Sequence, residues 1–162
     1  MDGVINGLSL AILGAIITIV VSGYGSAKGI AIAADVANGV LSENPDMFGK
    51  LLIMVALPGT QGIYGFVTGI LVFIKLGIIG GQNIYPITVT QGMQIFFICA
   101  IQSIIECTSA IYQGKVAASG IAMTGKQPDA SMKGVIMAVL VETYAVLGLL
   151  AGILGVLFGI RI

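Results

Sequence analysis

The residues best suited to chemistry are polar side chains set inside apolar runs. Glu142 lies in the middle of G-V-I-M-A-V-L-V-E-T-Y-A-V-L-G-L-L at 134–150. A carboxylate at bilayer depth is disfavoured by roughly 2.5–3.5 kcal/mol even on lenient insertion scales, so it faces protein or a cavity and marks a functional site by default. A second apolar run contains L-P-G-T-Q-G-I-Y-G at 57–65. Pro58 has no N–H to give the preceding turn and Gly59 loosens it further, which frees backbone carbonyls to turn toward a ligand. Thr60 and Tyr64 share a helix face, with Gln61 three residues from Tyr64. A third run supplies Gln113 in Y-Q-G-K.

Counted from the nearest charged loop, Glu142, the Thr60-Gln61 pair and Gln113 reach the same depth. Oxygens of Thr60, Gln61, Gln113 and Glu142, with a backbone carbonyl, would form a cage for a hard monovalent cation, one carboxylate neutralising one charge. Hydrogen bonds that merely join helices are the plainer reading, at about 0.6 kcal/mol each in a membrane. Four oxygen-bearing side chains at one depth, one of them a carboxylate, favour the ion site. Glu106 is a second acid, two turns beyond Gln113 and away from the charged loops. It reads as a neutral acid, protonated or paired with Lys75, which lies toward the same side of the membrane; the alternative is a second ion-handling carboxylate.

These side chains need long membrane helices to position them. Of 162 residues 57% are hydrophobic and 9% charged, where a soluble domain has about a quarter charged. The composition is that of an all-α integral membrane protein. Seven basic and seven acidic residues cancel, so nothing argues for nucleic acid. Histidine is absent, which removes the commonest metal ligand and proton shuttle. Cys99 and Cys107 are too far apart along one helix for a disulfide and read as small buried hydrophobes. No basic residue precedes the first apolar block, so that block reads as a mature membrane helix rather than a signal peptide.

Four apolar blocks, at 4–41, 48–79, 88–125 and 131–160, each exceed the ~20 residues that span a bilayer. Ser42-Glu43-Asn44-Pro45-Asp46 and Lys126-Gln127-Pro128-Asp129 are tight charged loops, whereas Gly80-Gly81-Gln82-Asn83 is uncharged. The architecture is two helical hairpins, 1–80 and 81–162. They repeat one another: Lys28-Gly29 is echoed by Gly114-Lys115, Pro45-Asp46 by Pro128-Asp129, and Lys50 by Lys133. That register is read to set Gln61 opposite Glu142, so only the second hairpin keeps the acid. Small residues at four-residue spacing, Gly25, Gly29, Ala33 and Ala37 in the first helix and Ala110, Gly114, Ala118 and Ala122 in the third, form ridges that allow close backbone approach. Such ridges suit many copies of a slim helix around a narrow axis, and are expected to face it. Lys50, Lys126 and Lys133 near the charged loops, against Lys75 and Arg161 at the other side, favour a multi-pass protein of the cell membrane with loops 42–47 and 126–130 cytoplasmic and termini outside.

Four motifs, S-G-Y-G-S-A-K-G at 22–29, L-P-G-T-Q-G-I-Y-G-F at 57–66, Q-G-K-V-A-A-S-G at 113–120 and V-E-T-Y-A at 141–145, are spread along most of the chain. Together they resemble the proteolipid rotor-ring component of rotary V-type ATPases, the c or K protein, most closely its sodium-translocating bacterial form. The resemblance implies that Glu142 binds the transported sodium ion. It also implies that Thr60, Gln61, Gln113 and the Leu57 carbonyl complete the ion's shell, and that Tyr64 steadies the loaded carboxylate. Glu106 is a departure from the family pattern and leaves the charge per subunit in doubt.

The implied assembly is a homo-oligomeric ring in the lipid bilayer. A stator membrane subunit supplies an arginine, and a central-stalk subunit sits at the cytoplasmic loops. The chain has no P-loop, so ATP hydrolysis belongs to a soluble head and this ring component is non-catalytic. A proton in place of sodium needs only Glu142 and leaves Thr60, Gln61 and Gln113 without an obvious purpose. A small four-helix drug exporter also uses one membrane glutamate, but it binds flat cations on aromatic rings; this chain has no Trp and places its acid in the last helix.

Overall fold

Two of the four membrane spans begin at caps that local sequence specifies. Asn6 accepts from the Ser9 amide while Ser9 accepts from the Asn6 amide, and Thr88 and Gln91 repeat the exchange. Each reciprocal pair satisfies two of the amide donors that a helix start leaves open. The helices that follow, α1 (Gly7–Glu43) and α4 (Val89–Lys126), are 37 and 38 residues long. At ~1.5 Å per residue each outreaches a ~30 Å hydrocarbon layer. The computed structural model describes residues 6–80 and 83–160; Asp2, the Gly81-Gln82 part of the uncharged loop, and Arg161 lie outside them.

The second span is broken. It consists of α2 (Phe48–Ala56) and α3 (Thr60–Lys75), joined by a tighter turn at Leu57–Gly59 that carries Pro58. The fourth is α5 (Ser131–Leu154), which continues into a wider turn at Gly155–Gly159. All four spans, Gly7–Glu43, Pro45–Lys75, Val89–Lys126 and Pro128–Gly159, are long and apolar enough to cross a membrane. The described residues contain no strand. Cys99 and Cys107 are both free, Cys99 buried.

The two charged loops lie at one end, each entering its next helix through a short turn that opens on proline. Lys50 Nζ donates to the Pro128 carbonyl at 3.5 Å and so links them. At the opposite end Gly77 and Gly80 hold φ of 73° and 76°, a left-handed conformation that glycine adopts without a Cβ clash.

The central pair is α1 against α4, with α3 packed on α1 and α5 on α4. A Cβ on Gly25 would collide with the Cys107 backbone, one on Gly29 with the Ala110 carbonyl, and one on Gly114 with Gly29. The small-residue ridges therefore face each other inside one protomer, and Ala122 alone of the eight is exposed. This corrects the expectation that they line a ring axis: the close approach they permit is used within the protomer. Counted from the starts of α2 and α5, Phe48 and Ser131, the residue equivalent to Glu142 is Gly59 rather than Gln61. The first hairpin thus carries a glycine where the second carries its acid. Apolar clusters around Ala11, Val72 and Ile95 at one end and Met54, Ala117 and Ile121 at the other leave a polar zone between them.

Candidate ion-binding site

The break in the second span creates the first half of the site. With Pro58 in the turn, the Leu57 carbonyl accepts from Thr60 Oγ1 at 3.0 Å, and Gln61 Oε1 lies 3.3 Å from the same hydroxyl. Three oxygens from one interrupted turn are thereby gathered on one side. The turn is held against its neighbours: Pro58 is buried, a Cβ on Gly29 would lie 2.7 Å from the Pro58 Cβ, and Gly62 N–H donates to Ser26 Oγ at 2.7 Å.

The second half is the carboxylate. Tyr64 Oη donates to Glu142 Oε1 at 2.7 Å, and Gln113 Nε2 donates to Glu142 Oε2 at 3.2 Å. Both carboxylate oxygens thus act as acceptors. Gln113 joins the halves. Its Oε1 accepts from Gln61 Nε2 at 2.6 Å, while its Nε2 also donates to the Ala138 carbonyl at 3.1 Å. Gln61 and Gln113 are wholly buried, whereas Glu142, Tyr64, Thr60 and Leu57 are half-buried. A carboxylate near the protomer surface and amides behind it put the charge where an ion can arrive and leave.

All six residues singled out in the sequence, Leu57, Thr60, Gln61, Tyr64, Gln113 and Glu142, therefore meet. Ser109 was missed. Its Oγ donates to the Val141 carbonyl at 3.2 Å and lies 3.4 Å from Gln61 Nε2. Its one-turn spacing from Gln113 was the available signal. A cleft of about 430 Å³ between α4 and α5, lined by Ile104, Ile105, Tyr112, Val141 and Tyr144 among others, opens beside Ser109.

Glu106 stands apart from this cluster. It is wholly buried, and neither carboxylate oxygen has a hydrogen-bond partner. Lys75 does not pair with it: Lys75 Nζ donates to the carbonyls of Val156 at 2.6 Å, Leu157 at 3.0 Å and Ile160 at 2.5 Å. A lysine is favourable there because the last carbonyls of a helix lack intrahelical donors.

Comparison with known proteins agrees with the duplicated plan. The chain is 40% identical over 152 residues to V-type sodium ATPase subunit K of Enterococcus hirae, covering 94% of this chain and 93% of that protein. It is 36% identical over 131 residues to A-type ATP synthase subunit K of Methanocaldococcus jannaschii, covering 80% of this chain and 55% of the relative. The family profile for the C subunit of ATP synthase matches twice, at residues 13–72 and 96–155, once in each hairpin. With most of its length matched in two tandem copies, the chain belongs to the ATP synthase C subunit family.

Proposed function

We propose that this chain is the rotor-ring subunit of a rotary V-type ATPase and that it carries sodium ions across the membrane. The observation that supports this most directly is the Glu142 carboxylate clasped by Tyr64 and Gln113 beside the oxygens of Leu57, Thr60 and Gln61. In this reading sodium is the cargo, and Glu142 supplies its counter-charge. Thr60, Gln61, Gln113 and the Leu57 carbonyl supply neutral oxygens, and Tyr64 holds the carboxylate in its loaded orientation. A proton, held covalently by the carboxylate, would not need the neutral oxygens.

Copies of this chain close into a ring, with the slim α1–α4 pair inward and Glu142 outward. The exposed apolar side chains, among them Ile63, Tyr144 and Leu147, suit lipid or the next copy. A neutralised Glu142 can face lipid, whereas a bare carboxylate there is costly. An arginine of the stator displaces the ion at one point of the circle, and exchange there drives or is driven by rotation. Moving one charge through 100 mV takes ~2.3 kcal/mol, so several sites pass per ATP hydrolysed in the soluble head. Lys50, Lys126 and Lys133 at the charged loops favour a cytoplasmic position for that end, against the central stalk.

The test is ATP-driven uptake of ²²Na⁺ by the whole complex in liposomes. Uptake that persists or rises with a protonophore present supports a sodium carrier, because no proton gradient is then needed. Uptake abolished by the protonophore contradicts it.

A further inference from the structure

About two turns past Gln113, toward the end away from the charged loops, lies a second buried polar layer. Glu106 and Thr68 are fully buried and Gln102 is 2% exposed. Gln102 Nε2 donates to Thr68 Oγ1 at 2.9 Å, and Thr68 Oγ1 donates to the Tyr64 carbonyl at 3.2 Å. Both of these bonds lead away from the acid, although the Gln102 amide stands beside Glu106. Gln102 Oε1 and both Glu106 oxygens are left as buried acceptors without partners.

Gln102 and Glu106 are one turn apart on the same face of α4. Across from them α5 presents two glycines, also one turn apart. A Cβ on Gly152 would overlap Gln102 Oε1, and one on Gly148 would lie 3.4 Å from Glu106 Oε1. These glycines leave the space in which the acceptors stand. A cleft of about 170 Å³ lined by Ile98, Ile101, Gln102, Gly148 and Gly152 among others adjoins it and offers a route in.

Unpartnered acceptors in a dry interior are costly, and an unpaired carboxylate more so. The nearby lysine, Lys75, is engaged at the end of the last span. A proton on Glu106 neutralises the acid and gives it a hydroxyl that can donate to Gln102 Oε1, which leaves one of the three oxygens without a partner. A hard cation serves all of them, since carboxylate, amide and hydroxyl oxygens are its preferred ligands. One carboxylate balances one charge, which fits a monovalent ion.

We propose that Glu106 and Gln102, with Thr68, bind a second sodium ion that stays with the protomer and is not carried. Glu106 has no exposed surface even in a single protomer, and ring assembly can only bury it further. Glu142, by contrast, is half-buried at the protomer surface. The resident ion ties α4 to α3 between the carried ion and the far end. The two sites share no ligand, so the second can be tested with the first disabled.

The experiment uses intact detergent-extracted rings and ²²Na⁺ retained through rapid gel filtration. Glu142→Gln rings should retain one slowly exchanging sodium per protomer, and Glu142→Gln/Glu106→Gln and Glu142→Gln/Gln102→Leu rings should lose it. Should the double variants fail to assemble, the heat resistance of Glu142→Gln rings in sodium chloride against choline chloride decides the matter. Greater resistance in sodium supports the site. No retained sodium in Glu142→Gln rings, with equal resistance in both salts, makes Glu106 a protonated acid and overturns the proposal. The Glu142 reading is tested apart, by equilibrium sodium binding: if wild-type rings bind no more sodium than Glu142→Gln rings, that reading fails while this one stands.

Discussion

Tyr64 and Glu142 are 78 residues apart in sequence, one in each hairpin, yet the Tyr64 phenol donates to the Glu142 carboxylate at 2.7 Å. The duplicated halves thus contribute unlike parts to one site. The second hairpin brings the charge and Gln113, while the first brings the interrupted turn and the phenol that holds the charge in place.

Tyr64→Phe removes this donor and little else. A hydrogen bond to a charged group contributes about 1.5–3 kcal/mol, so sodium affinity should fall roughly tenfold or more. Rings should still assemble. Sodium binding titrated on purified rings gives the affinity, and native gels report assembly; unchanged affinity would remove Tyr64 from the site.

Gln113→Ala should weaken sodium binding more than Gln61→Ala, because Gln113 alone contacts Glu142, Gln61 and the Ala138 carbonyl. Each loss should exceed about tenfold, or ~1.4 kcal/mol. Since the two amides are bonded to each other, the double variant should lose less than the two single losses combined. Strict additivity in a double-mutant cycle would contradict the bonded pair.

Gly29→Leu should prevent the protomer from folding, because even a Cβ there meets the Ala110 carbonyl and Pro58. Gly39→Ala is the control. Nothing lies within 4 Å of its Cβ, and alanine favours a helix over glycine by about 1 kcal/mol. Protease resistance of the two variants in membranes should separate them sharply; a resistant Gly29→Leu protein would contradict the packing of α1 on α4.

Lys75→Met should loosen the end of the last span. Losing the ammonium from the carbonyls of Val156, Leu157 and Ile160 costs about 1 kcal/mol for a partly exposed charge at a helix end. Hydrogen exchange should quicken at 155–160 while sodium affinity stays unchanged. Loss of sodium binding instead would link Lys75 to the ion sites.

Much of this site is legible in the residues alone. Glu142, Gln61, Gln113 and Thr60 stand out because a polar side chain in an apolar helix needs a partner, and equal depth from a loop says which partners can meet. Pro58 announces the break in the second span because it cannot donate to the preceding turn. The partner of each ridge is not legible. Four-residue spacing on Gly25 and Gly29 states that a backbone comes close, and is silent on whether it belongs to the same protomer or the next. Ser109 is hidden for a similar reason, since a serine within a helix usually bonds its own preceding turn, and only geometry shows it reaching the Val141 carbonyl. Depth alone pairs Lys75 with Glu106, but the terminal carbonyls of the last span hold the lysine instead.

The most direct measurement is labelling of Glu142 by dicyclohexylcarbodiimide, located by mass spectrometry and titrated with sodium at several pH values. The reagent attacks a protonated carboxyl, and sodium competes with protons for the same carboxylate. Sodium should therefore protect Glu142, with a midpoint that moves to higher sodium as pH falls. Glu142→Gln should take no label at that position. If sodium gives no protection at Glu142 even at alkaline pH, where protons compete least, the ring does not carry sodium there and the central claim is wrong.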